Sequence, residues 1–316
     1  MFLDAMSLGY FTFFVQTIFS TLLLVCVTMI ATMGIALIFK TSNTTNFAQG
    51  SIAALGCYLV AYLSMQWAPE IPYWVCIIIG LIAGLAVGLL IDIGIFRRGR
   101  GVNLIGKQII TMGMVTLILG VIPLIFGATE APQIPAFVQG NWVVEMGDGW
   151  SFTITKHSIV CLGITAAVIT ILFVLLYKSK WGLGVRATAS NEMTAGIIGI
   201  NTTVITATSW AIAAGLAVLA AVMLNAGNST LTPAFMTQTQ VNSFLSGILG
   251  GFSTFYGPIV GAAIVPLLTE IVGFFGLFEG ADFLIAWKEV IVYGFLLIII
   301  LIKPNGLFGK KIIKKV

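Results

Sequence analysis

Charge is what this sequence has least of. Of its 316 residues only 8% are charged, 15 Lys and Arg against 11 Asp and Glu, where a soluble domain carries roughly 25%. So few charges cannot cover a water-facing surface when 59% of the side chains are apolar and the mean hydropathy is +1.09. A soluble globular fold is excluded, and a lipid bilayer is the expected solvent. Cysteine occurs four times, at Cys26, Cys57, Cys76 and Cys161, always inside an apolar run and never in the paired spacing of a disulfide framework or zinc site. These read as small core hydrophobes. The single histidine, His157, is taken to have no carboxylate or cysteine at ligand spacing and reads as an interfacial residue. With no constellation of His, Cys and carboxylate, a membrane-embedded enzyme is disfavoured. No cation precedes Lys40, so the basic flank of a cleaved leader is missing and the first helix is expected to stay.

What is present is a succession of apolar stretches, at about 11–39, 47–66, 72–96, 109–127, 157–177, 204–226, 241–276 with an interruption, and 283–302. They predict an all-α polytopic membrane protein of about eight to nine transmembrane segments, some broken or re-entrant, in a single membrane domain over 1–316. Cations cluster between the stretches: Arg97, Arg98, Arg100 and Lys107 in one connection, Lys178, Lys180 and Arg186 in another, and Lys303, Lys310, Lys311, Lys314 and Lys315 at the end. Placing these and Lys40 in the cytoplasm leaves only Lys156 and Lys288 opposite, and predicts an external N-terminus and a cytoplasmic C-terminus. Such short clusters at span ends are topology signals, not a nucleic-acid stripe.

Two breaks stand out. Between Lys40 and Gly50 a run of polar residues would be costly in lipid unless satisfied, and Asn46 is placed to cap the following helix. Around Gly250, Gly251, Gly257 and Pro258, glycine and proline close a hairpin of two short helices. Irregular backbone at membrane depth is tolerated only where it is packed in protein or lines a cavity. Candidate path residues are therefore Asn46, Gln49 and Ser51 at the first break, and Asn242, Ser243 and Ser246 at the second. Gly80, Gly84 and Gly88 share one helical face and allow close packing. Asp92 and Glu270 are the carboxylates inside apolar stretches; Asp92 has Arg97 about a turn away, whereas Glu270 has no local cation. Gly101, Gly106 and Lys107 imitate a phosphate loop, but Gln108 stands where a magnesium-binding hydroxyl is required.

The connection 178–203 predicts a short helix capped by Ser190 or Asn191, ending near Gly199 and showing Met193, Ile197 and Ile198 on one side. Its Gly182-Leu183, Arg186-Ala187, Asn191, Ala195 and Gly199-Ile200-Asn201 resemble the permease subunits of branched-chain amino acid ABC importers. Three further segments are similar in the same order. They are Asn46-Phe47-Ala48-Gln49-Gly50 with Leu55-Gly56-Cys57-Tyr58; Leu249-Gly250-Gly251 with Tyr256-Gly257-Pro258 and Gly261; and Lys303-Pro304 with Gly306-Leu307-Phe308-Gly309. Gln49 replaces the family's usual His, and the Asn-Phe-Ala form favours the shorter of its two permease types. The resemblance implies an inner-membrane permease that binds no cofactor itself. ATP and Mg would sit on two separate ABC ATPase subunits. A second homologous permease, or a second copy, and an extracytoplasmic solute-binding protein would complete the assembly. It also implies a coupling segment over Arg186, Asn191, Glu192, Ala195, Gly199 and Asn201. Other solutes (urea, amides) and an ion-coupled transporter are the alternatives.

Overall fold

The computed structural model describes residues 2–67, 70–99, 101–127, 134–147, 150–227 and 231–309. Arg100, Glu130, Asp148 and the lysines from Lys310 on lie outside the described residues. Eleven α-helices are described: α1 (Phe2–Ser42), α2 (Gln49–Trp67), α3 (Tyr73–Ile91), α4 (Leu104–Phe126), α5 (Lys156–Lys178), α6 (Lys180–Ser190), α7 (Glu192–Ile197), α8 (Thr202–Asn225), α9 (Thr237–Gly250), α10 (Tyr256–Phe275) and α11 (Phe283–Ile302). Among the described residues seven segments are long and apolar enough to span a bilayer: Gly9–Ser42, Tyr73–Phe96, α4, α5, α8, α10 and α11. Polar-headed α2 and the 14-residue α9 bring the segments to nine, in line with the eight to nine expected of an all-α polytopic chain.

The centre of the bundle is α8, packed between α1, α2 and α3. Lipid gives no hydrophobic drive for helix association, so cohesion depends on close approach over small side chains. Here Ala213, Ala214, Ala217, Ala220 and Ala221 of α8 are all buried. The three glycines of α3 meet α2 and α8 as their spacing predicts: a Cβ on Gly84 would stand 2.7 Å from Val218, and one on Gly88 would strike the carbonyl of Trp210. By contrast α4 and α11 show solvent-side residues such as Leu124 and Leu301 that are large and apolar, which suits an acyl-chain environment. At the end of α3 a π turn, Asp92–Phe96, closes with Arg97 N–H donating to Asp92 O, and the Arg97 guanidinium stands 4.0 Å from the Asp92 carboxylate.

A two-stranded antiparallel hairpin, β1 (Asn141–Gly147) and β2 (Trp150–Thr155), was not expected from the apolar stretches. Its free edge is satisfied by one side chain of α1: Gln16 accepts from Thr153 N (2.7 Å) and donates to Thr153 O (3.2 Å), with Phe19 stacked on Phe152. The edge backbone thereby finds partners in place of a third strand.

The second break forms a helical hairpin as predicted, although only α9 is short; α10, with 20 residues, is long enough to span a bilayer. α9 and α10 touch through bare backbone, since a Cβ on Gly261 would collide with Ser246 O and one on Gly250 with Gly257 O. The last carbonyls of α9, which have no partner within the helix, accept from the chain's C-terminal turn: Leu307 N donates to Leu249 O (2.7 Å) and Phe308 N to Gly250 O (3.2 Å). Gly251 and Gly306, with φ of 87° and 79°, stand against each other there. Two separate sequence motifs are thus one structural unit.

Candidate functional site

Two features stand apart from the regular packing of the spanning helices. The first is the α6–α7 segment. The Ser179 hydroxyl caps α6 by accepting from Gly182 N (2.9 Å), and Asn191 caps α7 by accepting from Thr194 N (3.0 Å). Gly199, at φ 91°, ends the turn, with Ile200 N donating to Ala195 O (3.0 Å), a closure that orders the C-terminus of so short a helix. Asn201 then caps α8 through Val204 N (3.2 Å). Of the predicted coupling residues, Ala195 is buried against the bundle, while Asn191, Glu192, Gly199 and Asn201 are exposed. Arg186 lies apart on α6, its guanidinium over the Tyr177 ring at 5.3 Å. Met193, Ile197 and Ile198 are 78%, 79% and 69% exposed, an apolar face on a rigidly capped turn. The segment shares one end of the molecule with the cations. Glu192 lines a groove with Arg97 and Lys107, and Arg186 lines another with Lys40. Lys40 itself donates to Ser253 O (2.7 Å) in the α9–α10 connection.

The second feature is the break between α1 and α2. Ser42 Oγ accepts from Trp210 Nε1 (3.1 Å) and Gln49 Nε2 donates to Ala213 O (2.8 Å). Those partners stand about 12–17 Å along α8 from its start at 1.5 Å per residue, so α2 begins deep within the bundle. Asn46 accepts from Ala48 N and donates to Gln49 Oε1 (both 3.0 Å). Gln240 of α9 donates to Asn46 O (3.1 Å), and Met236 O lies 3.2 Å from where a Gly50 Cβ would be, so α2 and α9 both start at this level. Asn46, Gln49, Ser51, Ser243 and Ser246 are all buried. Asn46, Gln49, Ser51 and Ser246 spend their side chains on nearby groups, whereas the Ser243 hydroxyl has no partner. Asn242 alone of the six reaches the surface, where it meets Tyr293 and, through it, Gln238. Gln238 and Tyr293 were not picked out in the sequence, because the hydropathy window opened at 241 and Tyr293 sits inside an apolar run.

Because Gln49 ties the α1–α2 connection to α8, Gln49→Leu should leave the Asn46 amide and one face of Ala213 O unmatched and cost roughly 1–3 kcal/mol. Gln49→His, with a ring N–H for Ala213 O and a ring nitrogen for Asn46, should stay close to the parent. Thermal unfolding of the detergent-purified variants measures both.

Two sequence expectations are corrected. His157, at the start of α5, was expected to have no cysteine at ligand spacing, yet Cys161, four residues on, comes within 3.4 Å of its Nε2; the ring is buried, with Nε2 3.0 Å from Met223 O and Nδ1 accepting from Phe137 N (3.3 Å). Glu270, which lacked a cation nearby in sequence, is paired with Lys288 of α11 at 2.7 Å, both about a quarter exposed. All four cysteines are free and buried, as expected. Among the described residues no cluster of His, Cys, Asp and Glu is arranged to hold a metal.

The chain is similar to known proteins over most of its length. Residues 17–301 match the family described as branched-chain amino acid transport system / permease component. The high-affinity branched-chain amino acid transport system permease protein LivH of Salmonella typhimurium is 24% identical over 314 residues, 97% of this chain and 99% of that one. The corresponding protein BraD of Pseudomonas aeruginosa is 26% identical over 90% of this chain and 92% of its own. A probable branched-chain amino acid transport permease protein LivH of Methanocaldococcus jannaschii is 27% identical over 88% and 87%. No solved structure matches.

Proposed function

Because the chain belongs to the branched-chain amino acid transport permease family, we propose that it is the membrane permease of an ATP-driven importer of branched-chain amino acids or closely similar solutes. Residues 1–316 form its single membrane domain and 178–203 its coupling loop. Two ABC ATPase subunits dock on α6 and α7 and carry the ATP and Mg. A second, homologous permease or another copy of this one stands alongside in the bilayer, and an extracytoplasmic binding protein delivers the solute. ATP-driven closure of the ATPases moves α7, and the permease pair alternates access between the two sides. The helix breaks, at Asn46, Gln49 and Ser51 and at Asn242, Ser243 and Ser246, belong to the path or to its packed support.

The observation that carries this reading is the exposed apolar face of Met193, Ile197 and Ile198, held on a capped turn at the cationic end of the bundle. A face of that kind outside the bundle calls for a protein partner. The same grouping of Lys40, Arg97, Lys178 and Lys303 supports a cytoplasmic position for that end in a bacterial inner membrane, with the N-terminus outside. An ion-coupled transporter would make use of the Glu270–Lys288 pair, yet it gives no purpose to α7.

Purification of the tagged chain from its native membrane in mild detergent tests the proposal. An ATPase and a second permease should come with it, the preparation should hydrolyse ATP, and Gly199→Val or Glu192→Lys should release the ATPase. A chain that emerges alone, and whose vesicles take up leucine on an ion gradient without ATP, refutes the importer reading.

A further inference from the structure

We propose that α9 and α11 form one wall of the transport path, with Gln238, Tyr293 and Asn242 as its polar surface and a second permease chain as the opposite wall. The inference rests on the permease reading above and names the part of the chain that meets the solute.

α9 starts at the level of the α2 N-terminus, where Gln240 Cβ also lies 3.2 Å from the position of a Gly50 Cβ. Tyr293 lies about ten residues into α11, roughly 15 Å along its axis, half of a hydrocarbon layer of about 30 Å. At that depth Gln238 is exposed and Asn242 partly exposed. Gln238 Nε2 donates to the Tyr293 hydroxyl (2.5 Å), which donates to Asn242 Oδ1 (2.6 Å). This relay has open ends: among the described residues Gln238 Oε1 and Asn242 Nδ2 have no partner, one an acceptor and the other a donor. Neighbouring Thr237 is exposed as well.

Acyl chains cannot satisfy these groups. An amide left unpaired in hydrocarbon costs several kcal/mol, and polar side chains in spanning segments accordingly face protein or water. The side of α11 turned away from Tyr293 obeys that rule, since its exposed residues at similar depth are Ile291, Phe295 and Ile298. The boundary between the two kinds of surface runs along α11 and separates a lipid face from a wet one. The wet face is on the outside of this chain, so a water-filled path there needs a wall from another molecule. A second permease chain, which the permease reading already requires, provides it.

The wall also has a chemistry. Its mid-depth groups are amides and a phenol, with Glu289 one turn from Tyr293 towards the end of α11 opposite the cations. Neutral donors and acceptors about a helical turn apart suit a small solute that has both kinds of group and no net charge, as a zwitterionic amino acid does.

Single Gln238→Cys and Asn242→Cys variants of the assembled transporter, in native membrane vesicles, test the wall with a charged, membrane-impermeant methanethiosulfonate. The native cysteines are buried, so the parent gives a low background. Both sites should react, while Phe295→Cys and Ile298→Cys on the lipid face should not. Unreactive 238 and 242 sites in vesicles that retain ATP-dependent leucine uptake would falsify the wall and leave the importer reading standing. Reactive sites in a chain that purifies without an ATPase would keep the wall and remove the importer reading. In parallel, Gln238→Leu with Asn242→Leu should cut leucine uptake at least tenfold with ATPase co-purification unchanged. A lipid-facing pair would instead tolerate leucine at both positions, and parental uptake in that variant overturns the proposal.

Discussion

Gly261→Val is expected to remove most of the folded chain from the membrane, whereas Gly113→Val should leave its amount and stability unchanged. Both glycines lie within spanning helices, and both substitutions carry the same propensity and hydropathy change. They differ in what the new side chain meets. At Gly261 even a Cβ collides with the carbonyl of Ser246 and comes 3.1 Å from Gly250 N, and these are backbone atoms that no rotamer change can move aside. At Gly113 nothing stands within 4 Å. Relief at Gly261 therefore requires α9 and α10 to separate. That separation would loosen the crossing at Gly250 and Gly257 and disturb the C-terminal turn that satisfies Leu249 O and Gly250 O. Overpacking costs typically 1–3 kcal/mol where side chains can adjust, and more than about 3 kcal/mol is expected here. The yield of monodisperse protein after detergent extraction, with Gly113→Val beside it, measures the difference; equal yields would refute the rigid crossing.

The same hairpin shows what a single sequence can disclose. Gly250 to Pro258 announces a break because glycine and proline are local signals, and the α3 glycines announce a packed face because their spacing is local too. The caps of α7, at Asn191 and Gly199, were legible for that reason, and so was the Asp92–Arg97 pair. The α7 helix proved to be preceded by a second one, α6, which the composition of 180–190 did not announce. What escaped depends on partners distant in the chain. Glu270 gains Lys288 only when α10 and α11 lie side by side, and His157 is buried only because α8 and the segment before β1 close over it. The β-hairpin did have a local signature, a Trp-Val-Val run and the alternating Trp150–Thr155 on either side of Asp148-Gly149, but hydropathy windows of membrane length average such runs away. The polar surface of α9 was lost in a similar manner. A window that begins at 241 leaves Gln238 in an apparent loop, although α2 and α9 begin at one depth because each is only part of a crossing.

Ile197→Asp is expected to abolish ATP-dependent leucine uptake while the permease still inserts and folds. The side chain is 79% exposed and lies outside the bundle, so aspartate there costs the isolated permease almost nothing and leaves the buried contact of Ala195 intact. In the assembly the same position would be covered by the ATPase, and a carboxylate in an apolar contact must be desolvated without a partner. Residues at the centre of such contacts are worth about 2–4 kcal/mol when removed, which corresponds to roughly 30- to 1,000-fold weaker ATPase association. Met193→Asp, one turn earlier on the same face, should behave alike. Thr194→Asp, beside that face, should retain most uptake, because an acidic residue in the first turns of a helix is also favoured by its dipole. The amount of ATPase co-purified, divided by the amount of permease, separates loss of docking from loss of folding. Parental ATPase recovery and parental uptake in Ile197→Asp and Met193→Asp together would show that this face is not where the ATPase docks, and would leave the exposed apolar turn on α7 without a purpose.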